Sequence, residues 1–331
     1  MGAVLDKVKG FARGAVRTVK ELTKPTAYKG VWLAIAALFL IVPFVPVLRE
    51  RMIFFMFLLK WIALAAAFNL IAGYTGYVCF GFPVFYGMGA IMMAWAVGEL
   101  GLHPVLGFLM AVGSSILMAL VVGGPSLRLR GAYFAIASLA ICLAMKVVVA
   151  WLRPYGIFIM PDPRTFLMVR NICYYIVALT ALGTVLATYI ISRSKLGLAM
   201  ISIREDEDAA ETRGVNTTFY KLVAAILCSI PPALVGASWA WYTTYSYEGD
   251  FELSPVVTII AMTMLGGSGT VLGPVIGAAI LYVVEYFLWA SFPYTYLLIF
   301  GAIIVITVLF VPKGIVGLIR EKVPKARKYL F

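Results

Sequence analysis

A polar stretch from Ser192 to Lys221 interrupts a run of apolar segments, and its side chains suit ionic docking. It carries five acids and five bases on a helix-favouring background that stops at Gly214. The acids are Glu205, Asp206, Glu207, Asp208 and Glu211, and the bases are Arg193, Lys195, Arg204, Arg213 and Lys221. Such pairs are individually weak, but together they fix the register of a helix on a partner. This stretch, the polar loop (192–221), therefore predicts a short charged helix that docks onto a soluble protein.

Small residues in the polar loop predict how that helix packs. Ala209 and Ala210 have side chains small enough for the helix to enter a groove on a partner. We expect this packing to dominate the contact. Neutralising Glu207 alone is expected to have a small effect, on the order of ~0 to 1 kcal/mol, as for an exposed ion pair.

Two glycine-rich clusters run from Gly73 to Gly87 and from Gly266 to Gly277, and each combines several glycines with one proline. Both clusters are expected to break helical segments. Such breaks either let helices pack closely or expose backbone groups to a cavity. Corresponding breaks in two halves of a chain predict an internal repeat around a central pathway. The pathway residues expected from these clusters are Asn69, Gly73, Thr75, Gly76, Gly81, Gly266, Gly267, Ser268, Gly269 and Gly273. Tight packing without any substrate contact is an equal alternative for each single glycine.

No motif in the sequence predicts catalysis, a metal site or a nucleotide site. The second glycine cluster lacks the Lys-Ser/Thr ending of a phosphate-binding loop. The single histidine, His103, precedes a proline in a connection between apolar segments. The four cysteines lie far apart in apolar segments without metal-ligand spacing, which predicts packing thiols: Cys79, Cys142, Cys173 and Cys228.

Composition places the chain in a membrane. Hydrophobic residues make up 63% of it and charged residues only 13%, and the apolar runs are too continuous for barrel strands. The sequence therefore predicts an all-α polytopic membrane protein. The net charge of +12 would suggest nucleic acid in a soluble protein, but here we interpret it as a topology signal and expect no nucleic acid partner.

Eight segments have the length of a membrane span, which is ~20 residues. They run approximately over 31–48, 52–72, 78–98, 104–122, 133–152, 172–191, 222–243 and 295–311. Residues 251–290 could cross once or twice. With the N-terminus in the cytoplasm, 20 of the 27 lysines and arginines fall inside if this region crosses twice. About ten spans with both termini cytoplasmic are therefore expected.

The expected organisation has three parts. Residues 1–30 form an amphipathic cytoplasmic helix on the membrane surface, with a disordered basic tail as the alternative. Residues 31–311 form the membrane domain, which includes the polar loop, and residues 312–331 form a basic cytoplasmic tail. Lys60, Lys146 and Glu285 are the ionisable residues inside the apolar segments, where charge requires a partner, water or snorkelling. Lys146 and Glu285 could pair, or Lys146 could snorkel alone.

Five segments together resemble a known family. They are NLIAGYTGYVCFGFPVFYGMGA (69–90), LRLRGAYFAIASLA (127–140), IREDEDAAETRGVNTTFYKL (203–222), MLGGSGTVLGPVIGAAIL (264–281) and LFVPKGIVGLI (309–319). In this order they are similar to the membrane permeases of branched-chain amino acid type ABC importers, the LivM-like family that also includes urea permeases. The resemblance covers residues from about 31 to 319.

The resemblance implies an assembly of several subunits in the inner membrane of a prokaryote. It implies a second homologous permease, two cytoplasmic ATPases that bind the ATP, an external solute-binding protein and no cofactor in this chain. The family's ATPase-contacting loop corresponds to residues 203–220 here. The coupling residues that it implies are Arg204, Glu205, Asp206, Asp208, Ala209, Ala210 and Gly214.

The expected function is therefore that of a permease subunit, not an enzyme, with amino acids, branched-chain ones first, as substrates. Urea or another small amide is the second choice within the same family. An ion-coupled secondary transporter is a rival, although Glu285 alone is a weak candidate for its coupling-ion site. A channel or scaffold is another rival, and it would need no docking surface for an ATPase.

Overall fold

The computed structural model describes residue 43 and residues 49–126, 129, 131–159, 166–292, 294–310 and 314–317. Nearly all of this is helical, as apolar segments in a membrane must be because their backbone groups need internal hydrogen bonds. The helices are α1 (Met52–Thr75), α2 (Phe82–Ala94), α3 (Pro104–Ser126), α4 (Ala132–Leu152), α5 (Phe166–Ser192), α6 (Lys195–Glu205), α7 (Glu207–Thr212), α8 (Thr217–Thr243), α9 (Ser254–Gly266), α10 (Gly273–Ser291) and α11 (Tyr296–Phe310). Two strands, β1 (Ile157–Phe158) and β2 (Tyr245–Ser246), pair antiparallel.

Seven helical segments in the described residues are long and apolar enough to cross a membrane. They correspond to α1, α3, α4, α5, α8, α9 with the turn before it, and α10. The protein is thus an integral membrane protein, as composition predicts. Each apolar segment expected from residue 52 onward contains a helix, including the shorter α2 and α11. Most of residues 31–48 and all of residues 1–30 lie outside the described residues, so the count of ten spans and the amphipathic helix stay predictions.

Helix α1 forms the centre of the bundle and packs against α5, α8, α9 and α10. Its middle, residues 63–67, is at most 3% exposed and contains four alanines. Small side chains allow neighbouring backbones to come close, which is the usual basis of helix packing in membranes. Helix α1 therefore contacts most of the elements that carry the expected site residues.

Two connections in the described residues, named here the first and the second break, each join a long helix to a shorter one. At the first break (residues 76–81), α1 ends with Gly76 in the left-handed region, at φ 78°, and α2 starts after a non-helical stretch. At the second break (residues 244–253), α8 ends with Thr244 at φ 60°, and β2 and a 3₁₀ turn precede α9. The helix that follows each break, α2 or α9, has a proline in its first turn, where proline is well tolerated.

The second break inserts its Phe251 deep into the bundle. The Phe251 side chain is fully buried, and its carbonyl accepts a hydrogen bond from the thiol of Cys142, midway along α4, at 3.5 Å. A side chain added at Gly87 in α2 would begin 2.6 Å from the Phe251 ring. The second break is therefore in contact with α2, the helix that follows the first break.

Residues 251–290 fold as two helices, α9 and α10, joined by a turn at residues 267–272. The helices pack closely because Gly266 lies against the backbone of Gly273, and Gly277 lies against the carbonyl of Met262. This arrangement agrees with the expectation of two crossings. Both glycine clusters therefore interrupt helices, as the sequence predicts, and the internal repeat stays a prediction.

Candidate functional site

The polar loop folds as two short helices, α6 and α7, instead of the one helix that its composition predicts. Ser194 caps α6 by accepting a hydrogen bond from the backbone nitrogen of Gly197. Asp206 has an extended backbone that ends α6, and its carboxylate accepts a hydrogen bond from the nitrogen of Ala209 at 3.0 Å, which starts α7. Gly214, at φ 82°, follows α7 as the sequence predicts.

The two helices carry charged side chains that are exposed on the surface of the protein. Exposed side chains include those of Arg204, Glu205, Asp206, Asp208 and Arg213. Nothing lies within 4 Å of where a side chain at Gly214 would begin, so this corner is open.

Ala210 does not lie on this surface. It is only 3% exposed and packs into the core of its own chain, while Ala209 is partly exposed. The expectation that Ala210 inserts into a partner is therefore wrong, because its side chain is already covered by this chain. Any docking contact must use the exposed residues around it.

Glu207 is also turned inward, toward a buried lysine. Its carboxylate forms an ion pair with the ammonium of Lys221 in α8, and Lys221 is 1% exposed. The hydroxyl of Tyr77, at the first break, donates a hydrogen bond to Glu207 and accepts one from Lys221 at 2.8 Å. The expectation of a weak surface pair is therefore wrong, because removing Glu207 would leave a buried charge without its partner. This triad joins α7, α8 and the first break.

Arg204 makes the second connection between the polar loop and the spans. Its guanidinium donates a hydrogen bond to the carbonyl of Gly73 at the end of α1, at 2.8 Å. A side chain added at Gly269 would begin 2.5 Å from the same guanidinium, and one added at Gly76 would begin 3.2 Å from the Arg204 stem. Arg204 thus lies where the two glycine clusters meet. Gly76 and Gly269 have no side chains there, which leaves room for the Arg204 side chain.

Asn69 holds the two glycine clusters together. Its amide nitrogen donates to the carbonyl of Thr270 at 2.9 Å, and its amide oxygen accepts from the nitrogen of Gly269 at 2.8 Å. The Asn69 side chain is fully buried, and a buried amide without hydrogen bonds would destabilise the fold. The two hydrogen bonds avoid this loss of stability. We name the contact of Asn69, Gly73, Gly76, Gly269 and Arg204 the glycine junction.

The other expected pathway residues do not belong to the junction. Thr75 donates a hydrogen bond within α1, to the carbonyl of Ile71, and Gly81 lies against Ser138 in α4. Gly266 ends α9 and Gly273 starts α10, Gly267 lies in the turn between these helices, and Ser268 in the same turn is exposed.

Sequence reasoning missed Tyr77 and Lys221 as functional residues. Lys221 was counted among the charges of the polar loop and Tyr77 lies inside the first glycine cluster, but nothing in the sequence joins them. The suggested pair of Lys146 and Glu285 is absent, although the structure describes both residues.

Comparisons with known proteins agree with the resemblance found in the sequence. A family model described as the permease component of the branched-chain amino acid transport system matches residues 51–308. Two relatives are each called high-affinity branched-chain amino acid transport system permease protein LivM, one from Salmonella typhimurium and one from Escherichia coli. Each is 27% identical to this chain over 300 residues, which cover 79% of this chain and 69% of the relative.

Proposed function

The chain belongs to the family of permease components of branched-chain amino acid transport systems, and from this we propose that it forms half of the pathway of an ABC importer. The proposed substrates are branched-chain amino acids, because this is the substrate class in the names of its relatives. A second, homologous permease would supply the other half of the pathway. An external solute-binding protein would deliver the substrate to the outer face.

We infer that two cytoplasmic ATPases bind ATP and drive the cycle by moving the polar loop. The observation that carries this inference is the double attachment of the polar loop to the spans. Glu207 of α7 is paired with Lys221 of α8 and Tyr77 of the first break, and Arg204 of α6 binds Gly73 of α1. A displacement of α6 and α7 therefore acts on α1, α8 and the first break together.

The glycine junction is the proposed place where this displacement opens the pathway. Arg204 and Asn69 are held by hydrogen bonds to backbone groups of α1 and of the turn between α9 and α10. Breaking and remaking a few such bonds is a small energetic change, and ligands or partners shift conformational equilibria by favouring one state. The energy for the shift would come from ATP binding to the partner subunits.

A matched pair of glycines tests the docking surface. Gly214 lies in the polar loop and Gly101 lies in the connection before α3, and both are exposed, have a positive φ and have nothing within 4 Å of an added side chain. Gly214→Trp is expected to abolish copurification of the ATPases or to uncouple ATP hydrolysis from leucine uptake in reconstituted vesicles. Gly101→Trp carries the same backbone strain without touching the polar loop, and it should retain ATPase binding.

Retention of both ATPase binding and coupled uptake by Gly214→Trp would remove the polar loop from the mechanism. The substrate is tested separately with the unmodified complex. Uptake of labelled leucine should be inhibited by unlabelled isoleucine and valine but not by urea. Inhibition by urea alone would assign the chain to small amides.

A further inference from the structure

Lys60 lies on α1 in a cage of aromatic rings. Its ammonium is 5.0 Å from the ring centres of Tyr86 and Trp239, 5.5 Å from that of Phe57 and 5.8 Å from that of Trp61. It donates one hydrogen bond, to the Tyr86 hydroxyl at 3.3 Å. Ring faces attract a cation, but they do not neutralise its charge.

No carboxylate lies within ion-pair distance of Lys60 in the described part of the chain. Two carboxylates lie on other elements of the bundle, Asp250 in the 3₁₀ turn of the second break and Glu285 in α10. Asp250 already accepts hydrogen bonds from the Ser246 hydroxyl at 2.7 Å and the Tyr247 nitrogen at 3.2 Å. One oxygen of Glu285 is buried without any hydrogen bond partner. Lys60 is therefore a half-buried cation without an ion-pair partner among the described residues.

Lys60 lines a small cavity between α1, α5 and α8. The other lining residues are Met56, Phe57, Val177, Val235 and Trp239. The cavity measures about 10 Å³, which is room for a single water, so it is too small for an amino acid in this conformation. Its walls are apolar apart from the lysine, and they combine branched aliphatic and aromatic side chains.

Helix α8 contains a feature that allows this cavity to widen. Pro231 and Pro232 are inside the helix and lack the backbone donors of two of its hydrogen bonds. Val235 and Trp239 lie just beyond the prolines, on the wall of the cavity. The carbonyl of Ser229 accepts a hydrogen bond from Ser115 of α3, which anchors the part of α8 before the prolines. The missing donors allow α8 to bend at the prolines. Beyond them Gly236 lies against the Tyr86 carbonyl, so a bend would move α2 together with the cavity wall.

We propose that Lys60 is the binding residue for the carboxylate of an aliphatic amino acid. The inference rests on the proposed function and gives the position of the substrate in the permease. The lysine cation matches the carboxylate of a free amino acid, and the apolar walls of the cavity match an aliphatic side chain. Lys60 is nine residues from Asn69 on the same helix, about 14 Å along its axis, so the site is joined to the glycine junction.

Binding to the permease–ATPase complex without the solute-binding protein tests this site directly. Saturation-transfer NMR with millimolar leucine, leucinamide, isoamylamine and 4-methylpentanoate separates the contributions of the carboxylate and the ammonium group. The unmodified complex should bind leucine at least about tenfold more tightly than leucinamide or isoamylamine, because each lacks the carboxylate. Equal binding of leucine and isoamylamine would overturn the proposal without any variant.

The lysine itself is tested with Lys60→Met and, as a matched control, Lys146→Met in α4. Lys60→Met should weaken leucine binding at least about tenfold and abolish the preference for leucine over leucinamide, while Lys146→Met retains both. If Lys60→Met fails to assemble with the ATPases, Lys60→Gln carries the same expectation. An assembled neutral variant that keeps the carboxylate preference would overturn the site. If the unmodified complex showed no leucine uptake, that result would instead overturn the proposed function.

Discussion

Lys221 and Lys60 are both lysines on buried helices, and their surroundings differ in one respect. Lys221 is paired with Glu207 and hydrogen bonded to Tyr77, so its charge is satisfied within the chain. Lys60 has one hydroxyl and four rings around it, and no acid among the described residues forms an ion pair with it. An unpaired charge inside a membrane destabilises the protein. We therefore expect such a charge to be retained where a group outside the chain acts as its partner. The comparison separates a cation that holds helices together from one that is available to a ligand.

The largest expected effect on stability is at Lys221, the lysine that is paired with Glu207. Glu207→Gln keeps the size of the side chain but leaves the Lys221 charge buried without its counter-ion. Breaking a buried pair in this way typically costs about 3 to 5 kcal/mol. Thermal unfolding of the purified permease should show a large loss of stability, whereas the exposed neighbour variant Glu205→Gln should stay within about 0.5 kcal/mol. Equal stability of the two variants would mean that the Lys221 charge is not held by Glu207.

A smaller effect of opposite sign is expected at Lys60. Lys60→Met removes a charge that has no acid partner and replaces it with an apolar side chain that suits the aromatic cage. The free energy of unfolding should be unchanged or higher by about 1 kcal/mol, since replacing buried charge by apolar groups is often neutral or stabilising. The same substitution at Lys221 should destabilise the protein, because it leaves Glu207 without its cation. Destabilisation by both substitutions would erase the distinction between the two lysines.

The smallest effect is expected at an exposed pair. Arg153 and Glu99 form an ion pair at 2.6 Å, with side chains 43% and 35% exposed. Arg153→Gln should cost about 0 to 1 kcal/mol, and the loss should vanish at high salt because water and ions screen the pair. Thermal unfolding at low and high ionic strength measures this directly. A salt-independent loss would show that Arg153 contributes by packing rather than by charge.

The sequence predicts most helices because the requirement for about 20 apolar residues in a span leaves few alternatives. It also identifies Asn69, Gly73, Gly76, Gly269 and Arg204 as candidate site residues. It does not show that they meet, because the hydrogen bonds of Asn69 connect residues about 200 positions apart. Such contacts depend on how α1 packs against the turn between α9 and α10, and no local pattern contains that information.

Side-chain direction explains the predictions that failed. Glu205, Asp206, Glu207 and Asp208 are equivalent in the sequence, yet only Glu207 turns toward Lys221, because Asp206 ends α6 and sets the start of α7. Similar depth suggested a pair between Lys146 and Glu285. Depth gives the position along a span but not the neighbouring helix, and the structure forms no ion pair between these two described residues.

The buried middle of α1 has a thermodynamic consequence. Residues 63–67 are enclosed by neighbouring helices, and they lie between Lys60 and the glycine junction. If substrate at Lys60 and ATP at the partner subunits both favour one position of this helix, their binding free energies are linked. Linkage is symmetric: leucine must then raise the affinity of the assembly for ATP by the same factor by which ATP raises its affinity for leucine.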